Sequence, residues 1–370
     1  MAHVFIVDEK TLKIHLEYMF AGTGAKDFEC NFLNDNTTEI KPSTERLLSG
    51  MISDISRVKP GDDILFYLQQ TKNHEGMFFG SLKVEENPFL CNDKYLESEL
   101  EKNLTFRVRL KSGKIYKKGI TERECLDSLK GINHPSELCW SLIYRKLKGN
   151  RGCTMITDYE YNKIMKKISE KNNDICLKSN GFSYDKDKNE IVPIDLYKNY
   201  NGTKESLDIT KRLIYKKNKK NAYETHLQAY ILQKINEIEI LKPTKDKITW
   251  LGNEVSCGVG MQSIDICFYQ ETEDKLNITI CELKDEQPVP YIKNQLEKYI
   301  EWIKDYIIPT YNKQVILYPT IVAPKPTTKT INVYTQIKNS TIYNSENITI
   351  KPIRYISFTI EEEISFEEIM

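Results

Sequence analysis

Apolar and polar positions along the chain change rhythm near its middle. In the first part short apolar runs dominate. Val4 to Val7 predicts a strand, Glu9 to Phe20 a helix, and Ser43 to about Arg57 a second helix with Ser43 as N-cap. The Pro60-Gly61 turn feeds a strand over Ile64–Leu68. A polar turn from Thr71 to Gly76 leads to another over Met77–Val84, and a further strand covers Leu104 to Leu110. Two short apolar segments, Leu138–Tyr144 and Gly152–Thr157, precede a helix from Asp158 to Ile168, with Thr157 placed to cap it. Residues 169 to 210 are polar and turn-rich and read as a connector.

From Ala222 the period lengthens. Leu227, Tyr230, Ile231, Ile235 and Ile238 make one helical stripe. Strands follow at Trp250–Val255, Ser263–Tyr269 and Asn277–Lys284, with turns at Gly258 to Gly260 and Gln270 to Lys275. A long helix covers about Tyr291 to Ile307, and Gln314–Val322 is a strand. Thr330 to Ile337 and Ile348 to Ile360 are expected as further β-structure, before an acidic tail over Glu361–Glu368. There is no internal repeat.

Composition narrows the class. The 370 residues suit about two domains. With 40% hydrophobic and 29% charged residues, they can bury ordinary cores. No run approaches the ~18 apolar residues of a membrane span, and no signal peptide is legible at the N-terminus. The nine cysteines never form a C-x-x-C pair, so reduced buried thiols in a cytoplasmic protein are expected rather than zinc or disulfides. The 53 basic and 53 acidic residues cancel, which excludes a global basic footprint for nucleic acid. The local run Lys216, Lys217, Lys219 and Lys220 is either a solvated linker or a contact to DNA phosphates.

Candidate chemistry lies in the second half. Successive same-face positions of a strand are two residues apart, so Glu282 and Lys284 share a surface. Asp265 sits inside the apolar strand before it, and a carboxylate among β-branched neighbours is costly unless paired or metal-bound. Glu224 precedes these on a helix, and Gln295 and Tyr299 follow on another, one turn apart. Hydrolysis of a phosphodiester needs a metal to neutralise charge and acidify water, and hard oxygen ligands suit Mg²⁺, with Mn²⁺ as substitute. Asp265 and Glu282 are the expected ligands. Glu224 and the Leu283 carbonyl complete the shell, Lys284 orients the water and steadies developing charge, and Gln295 and Tyr299 support the same face. The dispersed histidines, five in all, argue against a histidine-metal centre. The plain alternative is a buried ion-pair cluster without catalysis.

These residues, in this order, resemble the PD-(D/E)xK nuclease superfamily, and Gln295-Leu296-Glu297-Lys298-Tyr299 is similar to the Q-x-x-x-Y motif of its RecB-like branch. Ile264 stands where the family name has proline. RecB-like members often carry a histidine upstream, but His226, two residues past Glu224 on a helix, faces elsewhere, so Glu224 is preferred. In the N-terminal half, Val58–Asp62 with its strand, Gly76–Gly80 and Gly152–Tyr161 resemble the PUA-like superfamily, particularly its EVE and YTH branches. That resemblance implies an aromatic cage for a modified or flipped base, with Trp140, Tyr67, Phe79 and Tyr144 as candidate walls. Against this stands the plain reading that alternate aromatics on barrel strands are core.

The expected architecture is α/β. A PUA-like β-barrel domain with flanking helices covers residues 1–168, and a connector covers 169–220. A restriction-endonuclease-like α/β/α domain with a mixed sheet covers 221–370. The expected activity is Mg²⁺-dependent cleavage of double-stranded DNA carrying a modified base, such as a modified cytosine, by a homodimer without membrane or nucleotide cofactor. The rivals are a repair nuclease acting on mismatched, branched or single-stranded DNA, and a non-catalytic protein that binds modified nucleic acid.

Overall fold

The structure is a computed structural model that describes residues 1–24, 33, 39–126, 131–133, 153–257, 262–288 and 290–369. The chain divides into two compact units. Among the described residues one holds 1–133 and 153–207, and the other holds 208–369.

The first unit is organised by a long strand. β1 (Ala2–Val7), α1 (Glu9–Tyr18), β2 (Phe20–Thr23) and α2 (Pro42–Ser56) are followed by β3 (Asp63–Leu68), β4 (Met77–Val84) and β5 (Phe89–Leu90). After the single turn α3 (Glu97–Leu100), β6 (Phe106–Thr121) pairs with β2, β4 and β5. The short helix α4 (Glu122–Leu126), β7 (Thr154–Ile156), α5 (Asp158–Lys171), β8 (Gly181–Asp185) and β9 (Glu190–Ile194) complete the unit. β1 runs parallel to β3 and the other pairs are antiparallel.

The strand path runs from β7 through β1, β3, β4, β6 and β9 to β8, so the described strands form an open mixed sheet, not the closed barrel expected. The β8–β9 hairpin lies inside the span expected to be a connector, and residues 169–207 belong to this unit. Ile191, Phe182 and Tyr184 anchor the hairpin by burial, while its charged turn kept the pattern polar on average. Ser43 is not the cap of α2. Pro42 takes the first turn, where its missing N–H costs nothing, and Lys41 makes no side-chain cap bond. Thr157 does cap α5, in a reciprocal box with Glu160, and α5 lays Ile164 and Ile168 against Val4, Leu65 and Phe78.

In the second unit α6 (Thr210–Asn218) and α7 (Glu224–Lys234) precede a sheet of β10 (Trp250–Cys257), β11 (Gln262–Glu271) and β12 (Lys275–Leu283). These three form an antiparallel meander whose register is pinned where Trp250 stacks on its cross-strand partner Tyr269 at 4.6 Å. β13 (Gln314–Pro324) lies parallel to β12. A parallel neighbour requires a crossover, and α8 (Ile292–Trp302) supplies it before a π-turn over Ile303–Ile307. Thus the sheet is mixed, as expected. β12 is buried along eight of its nine residues, which explains its unbroken run of β-formers and makes any charge on it expensive.

Thr328–Ile337 is a helix, α9, and not the β-structure expected. Thr327 caps it, and its buried residues Thr330, Tyr334 and Ile337 recur at helical spacing, a rhythm that the abundance of β-branched residues obscured. Beyond it come β14 (Tyr343–Asn344), β15 (Ile348–Ile350), β16 (Arg354–Ile360) and β17 (Ile364–Ile369). The acidic tail is therefore largely an antiparallel strand, and Glu368 accepts Arg354.

Candidate active site

The site is assembled where β11 and β12 lie side by side. The pair Ile266 and Cys281 fixes the register, which sets Asp265 across from Glu282 on the same sheet face. The Leu283 amide donates to Asp265 Oδ2 at 2.6 Å. Just past the strand, the Lys284 amide still donates to the Val322 carbonyl at 2.9 Å, so the backbone direction of β12 is kept. The Lys284 ammonium folds back to Glu282 Oε1 at 2.6 Å and to the Leu283 carbonyl at 2.9 Å. Glu282 is only 2% exposed. Its other oxygen accepts the Tyr299 hydroxyl at 3.0 Å, from α8.

The first helix of the site is held by the loop after β12. Asp285 Oδ2 accepts the Tyr223 amide at 3.0 Å, and the Tyr223 hydroxyl donates to the Asp285 carbonyl at 3.1 Å. Asp285 thereby caps α7 from a distance. Glu224 occupies the first turn, where a carboxylate suits the helix dipole, with Oε2 at 3.9 Å from Lys284 Nζ. His226 is buried, and Glu224 is the acid that comes to the lysine.

The charges do not balance. Burial first, and then the neighbouring Glu282, holds the Asp265 carboxyl well above the usual range. Burial also raises Glu224. Lys284 opposes that rise, while Asp285, Glu282 and Glu254 add to it. Burial pulls the Lys284 ammonium down, but Glu282, Glu224 and Asp265 together outweigh it and hold it above its ordinary value. The Tyr299 phenol is pushed up by burial and by Glu282, so it stays a donor. Burial, with Glu282 beside it, raises the Cys257 thiol to about 12. Cys257, Cys267 and Cys281 are free, buried thiols.

The structure thus brings together Glu224, Asp265, Glu282, Lys284 and Tyr299, with Leu283 contributing its amide and carbonyl. Gln295 is half-buried on α8, one turn before Tyr299, and its side chain makes no hydrogen bond among the described residues. The donor set fits a hard cation. It is all oxygen, it carries surplus negative charge, and Glu224 and Asp265 Oδ1 accept no hydrogen bond among the described residues. Among the described residues no three His, Cys, Asp or Glu side chains close into a metal cage by themselves, and Lys284 sits against Glu282 Oε1.

Two functional candidates escaped the sequence reading. Glu254 on β10 lies across from Asp265, and Gln228 on α7, one turn after Glu224, hydrogen-bonds both to Glu254 and to the Asp265 carbonyl. The four-residue step from Glu224 to Gln228 was the available signal.

The other expected sites fare differently. Tyr67 and Phe79 are buried in the first unit's core and are not walls of an open cage. Tyr67 packs on Phe78 at 5.2 Å and donates to Glu122, and Phe79 packs on Tyr184 at 5.9 Å. Trp140 and Tyr144 lie outside the described residues, as do the rest of the segment 138–144, Gly152 and residues 258–261. The basic run is not a linker. Lys216 and Lys217 lie on α6, where Lys216 is buried. Lys219 and Lys220 follow it and are exposed.

No protein-family model matches the chain, and no curated protein matches it. Among solved structures, the crystal structure of human THYN1 protein in complex with 5-methylcytosine containing DNA is similar to part of it. The identity is 10%, over 45% of this chain and 97% of that one, with a TM-score of 0.26. Among the described residues no helix is long and apolar enough to cross a membrane.

Proposed function

We propose that the protein is a divalent-cation-dependent endodeoxyribonuclease of the PD-(D/E)xK type, acting in modification-dependent restriction on DNA that carries a modified cytosine. The observation that carries the reading is Glu282. It is a buried carboxylate on a central strand, gripped by Lys284 on one oxygen and Tyr299 on the other, with Asp265 beside it on the next strand. A purely structural ion pair would not call for two further acids at the same place, since surplus buried charge destabilises a fold.

Asp265, Glu282, Glu224 and the Leu283 carbonyl would hold Mg²⁺ or Mn²⁺. When bound, the cation neutralises phosphate charge and acidifies water. Tyr299 fixes the rotamer of Glu282, and the Asp265 carboxylate is aimed by the Leu283 amide. Lys284, an ammonium set among these acids, is positioned to meet the negative charge of the phosphate and to orient the attacking water. Gln295 faces the same side of α8 as Tyr299 and has donors to spare for a phosphate oxygen. Selectivity belongs to the N-terminal unit as a PUA-like reader, and cleavage of both strands calls for two copies of the chain.

Binding and digestion of matched duplexes that are methylated, hydroxymethylated, unmodified or mismatched test this reading with Mg²⁺ and with Mn²⁺. The expected result is cation-dependent cutting of a modified duplex and weak binding to plain DNA. Equal affinity for modified and plain DNA would sink the restriction reading, and preference for the mismatch would favour a repair nuclease.

A further inference from the structure

Glu254 is built into the sheet in a way that an incidental acid is not. It lies in the interior of β10 yet has a φ of +46°, a left-handed conformation that non-glycine residues avoid unless their surroundings enforce it. The register of β10 on β11, with Asn253 opposite Ile266 and Val255 opposite Ile264, sets Glu254 across from Asp265. Ser263 and Asp265 are two residues apart and share a face, and the Ser263 hydroxyl donates to Glu254 Oε2 at 2.7 Å.

From the helix side, Gln228 Nε2 donates to Glu254 Oε1 at 3.0 Å and to the Asp265 carbonyl at 3.0 Å, and its own oxygen accepts Asn253 at 3.4 Å. Gln228 is 4% exposed, so this amide bridge is shielded from water and geometrically fixed. Gln228 and Ser263 thus hold one Glu254 oxygen each, while Lys284 and Tyr299 hold Glu282. The Glu254 carboxyl is thereby immobilised beside Asp265. Behind burial and Glu282, it adds to what holds Asp265 up.

We propose that Glu254 is a positioning residue that sets how strongly the site attracts a divalent cation, acting by its charge across the strand from Asp265 and not as a ligand, with Gln228 as its clamp. The inference rests on the hydrolase reading above. A fixed negative charge outside the ligand shell strengthens the pull on a small cation without using up a coordination position. The alternative is that Glu254 only shapes the sheet.

Glu254→Gln separates the two, because a carboxamide can still accept from Gln228 through its oxygen and donate through its NH2 to a turned Ser263 hydroxyl, while losing the charge. The full chain is titrated with Mn²⁺ at neutral pH, reading free Mn²⁺ by paramagnetic resonance, and metal-free unfolding is measured alongside. E254Q is expected to weaken Mn²⁺ binding about ten-fold or more. Glu254→Asp keeps the charge and is expected to bind within about three-fold of the unaltered protein. E254Q binding Mn²⁺ as tightly as the unaltered protein overturns the proposal, even if its unfolding midpoint falls, and so does an equal loss in E254Q and E254D. If E254Q does not fold, a ten-fold loss in E254D overturns it alone. Failure of the unaltered chain to bind Mn²⁺ overturns the hydrolase reading itself, and this inference with it.

Discussion

Tyr299→Phe removes one oxygen and little else. The ring of Tyr299 is 3% exposed and stays in place, so the packing term is near zero. The hydroxyl donates to Glu282 Oε2 at 3.0 Å, and Glu282 is itself 2% exposed, so no solvent is at hand to replace the bond. A hydrogen bond to a buried charged acceptor contributes about 1.5–3 kcal/mol, and leaving that acceptor unmet incurs the desolvation cost in full. The metal-free variant is therefore expected to lose about 2 kcal/mol of unfolding free energy at neutral pH. It should also bind Mn²⁺ roughly ten- to a hundred-fold more weakly, because the carboxylate is no longer held in one rotamer. Urea unfolding followed by tryptophan fluorescence reads the first effect, since Trp250 and Trp302 both lie in the unit that contains the site. Each unit can unfold separately, so the transition is assigned to those two reporters before a free energy is drawn. A loss below about 0.5 kcal/mol together with unchanged Mn²⁺ affinity would refute the reasoning, for Tyr299 would then be a spectator.

Further outcomes follow from the first unit. His15 is fully buried, and neither ring nitrogen has a hydrogen-bond partner among the described residues. Burial first, then Lys102 and Arg107, lowers its pKa to about 3. The fold thus favours the neutral ring. Its contribution is whole above the unfolded value of 6.5 and is lost as pH falls from there toward 3. The unaltered protein should lose about 2 kcal/mol through this residue between pH 7 and pH 5, a share that His15→Leu removes. Parallel pH dependence of unfolding in the two proteins would contradict it. Gly80 has a φ of +134°, and a Cβ there would lie 2.1 Å from the Lys114 carbonyl oxygen. Gly80→Ala should therefore destabilise by at least about 2 kcal/mol in chemical unfolding. Thr157→Ala breaks the capping box of α5 and should cost about 1 kcal/mol by the same measurement.

Much of the candidate site was legible because its geometry is local. Glu282 and Lys284 are two residues apart, Gln295 and Tyr299 are one helical turn apart, and the strands that carry the acids are long and apolar. What could not be read depends on partners distant in sequence. Glu254 gains its meaning only from the β10–β11 register, and Gln228 only from the docking of α7 on that hairpin. Burial was misjudged for the same reason. Tyr67 and Phe79 are aromatic whether they line a cavity or a core, and only the packing against Phe78 and Tyr184 decides. Lys216 looked like its neighbours in a basic run until α6 turned it inward. The helix at Thr328–Ile337 was missed because composition outweighed period, although Tyr334 and Ile337 marked the buried stripe.

The central claim is that the carboxylates around Lys284 cut DNA. Cleavage of a modified duplex with Mg²⁺ or Mn²⁺ by the full chain, by Asp265→Ala and by Lys284→Ala tests it most directly, with DNA binding measured in parallel. The account predicts that the unaltered chain cuts, and that both variants lose metal-dependent cleavage while still binding the duplex. Cleavage by either variant at the rate of the unaltered chain would contradict it.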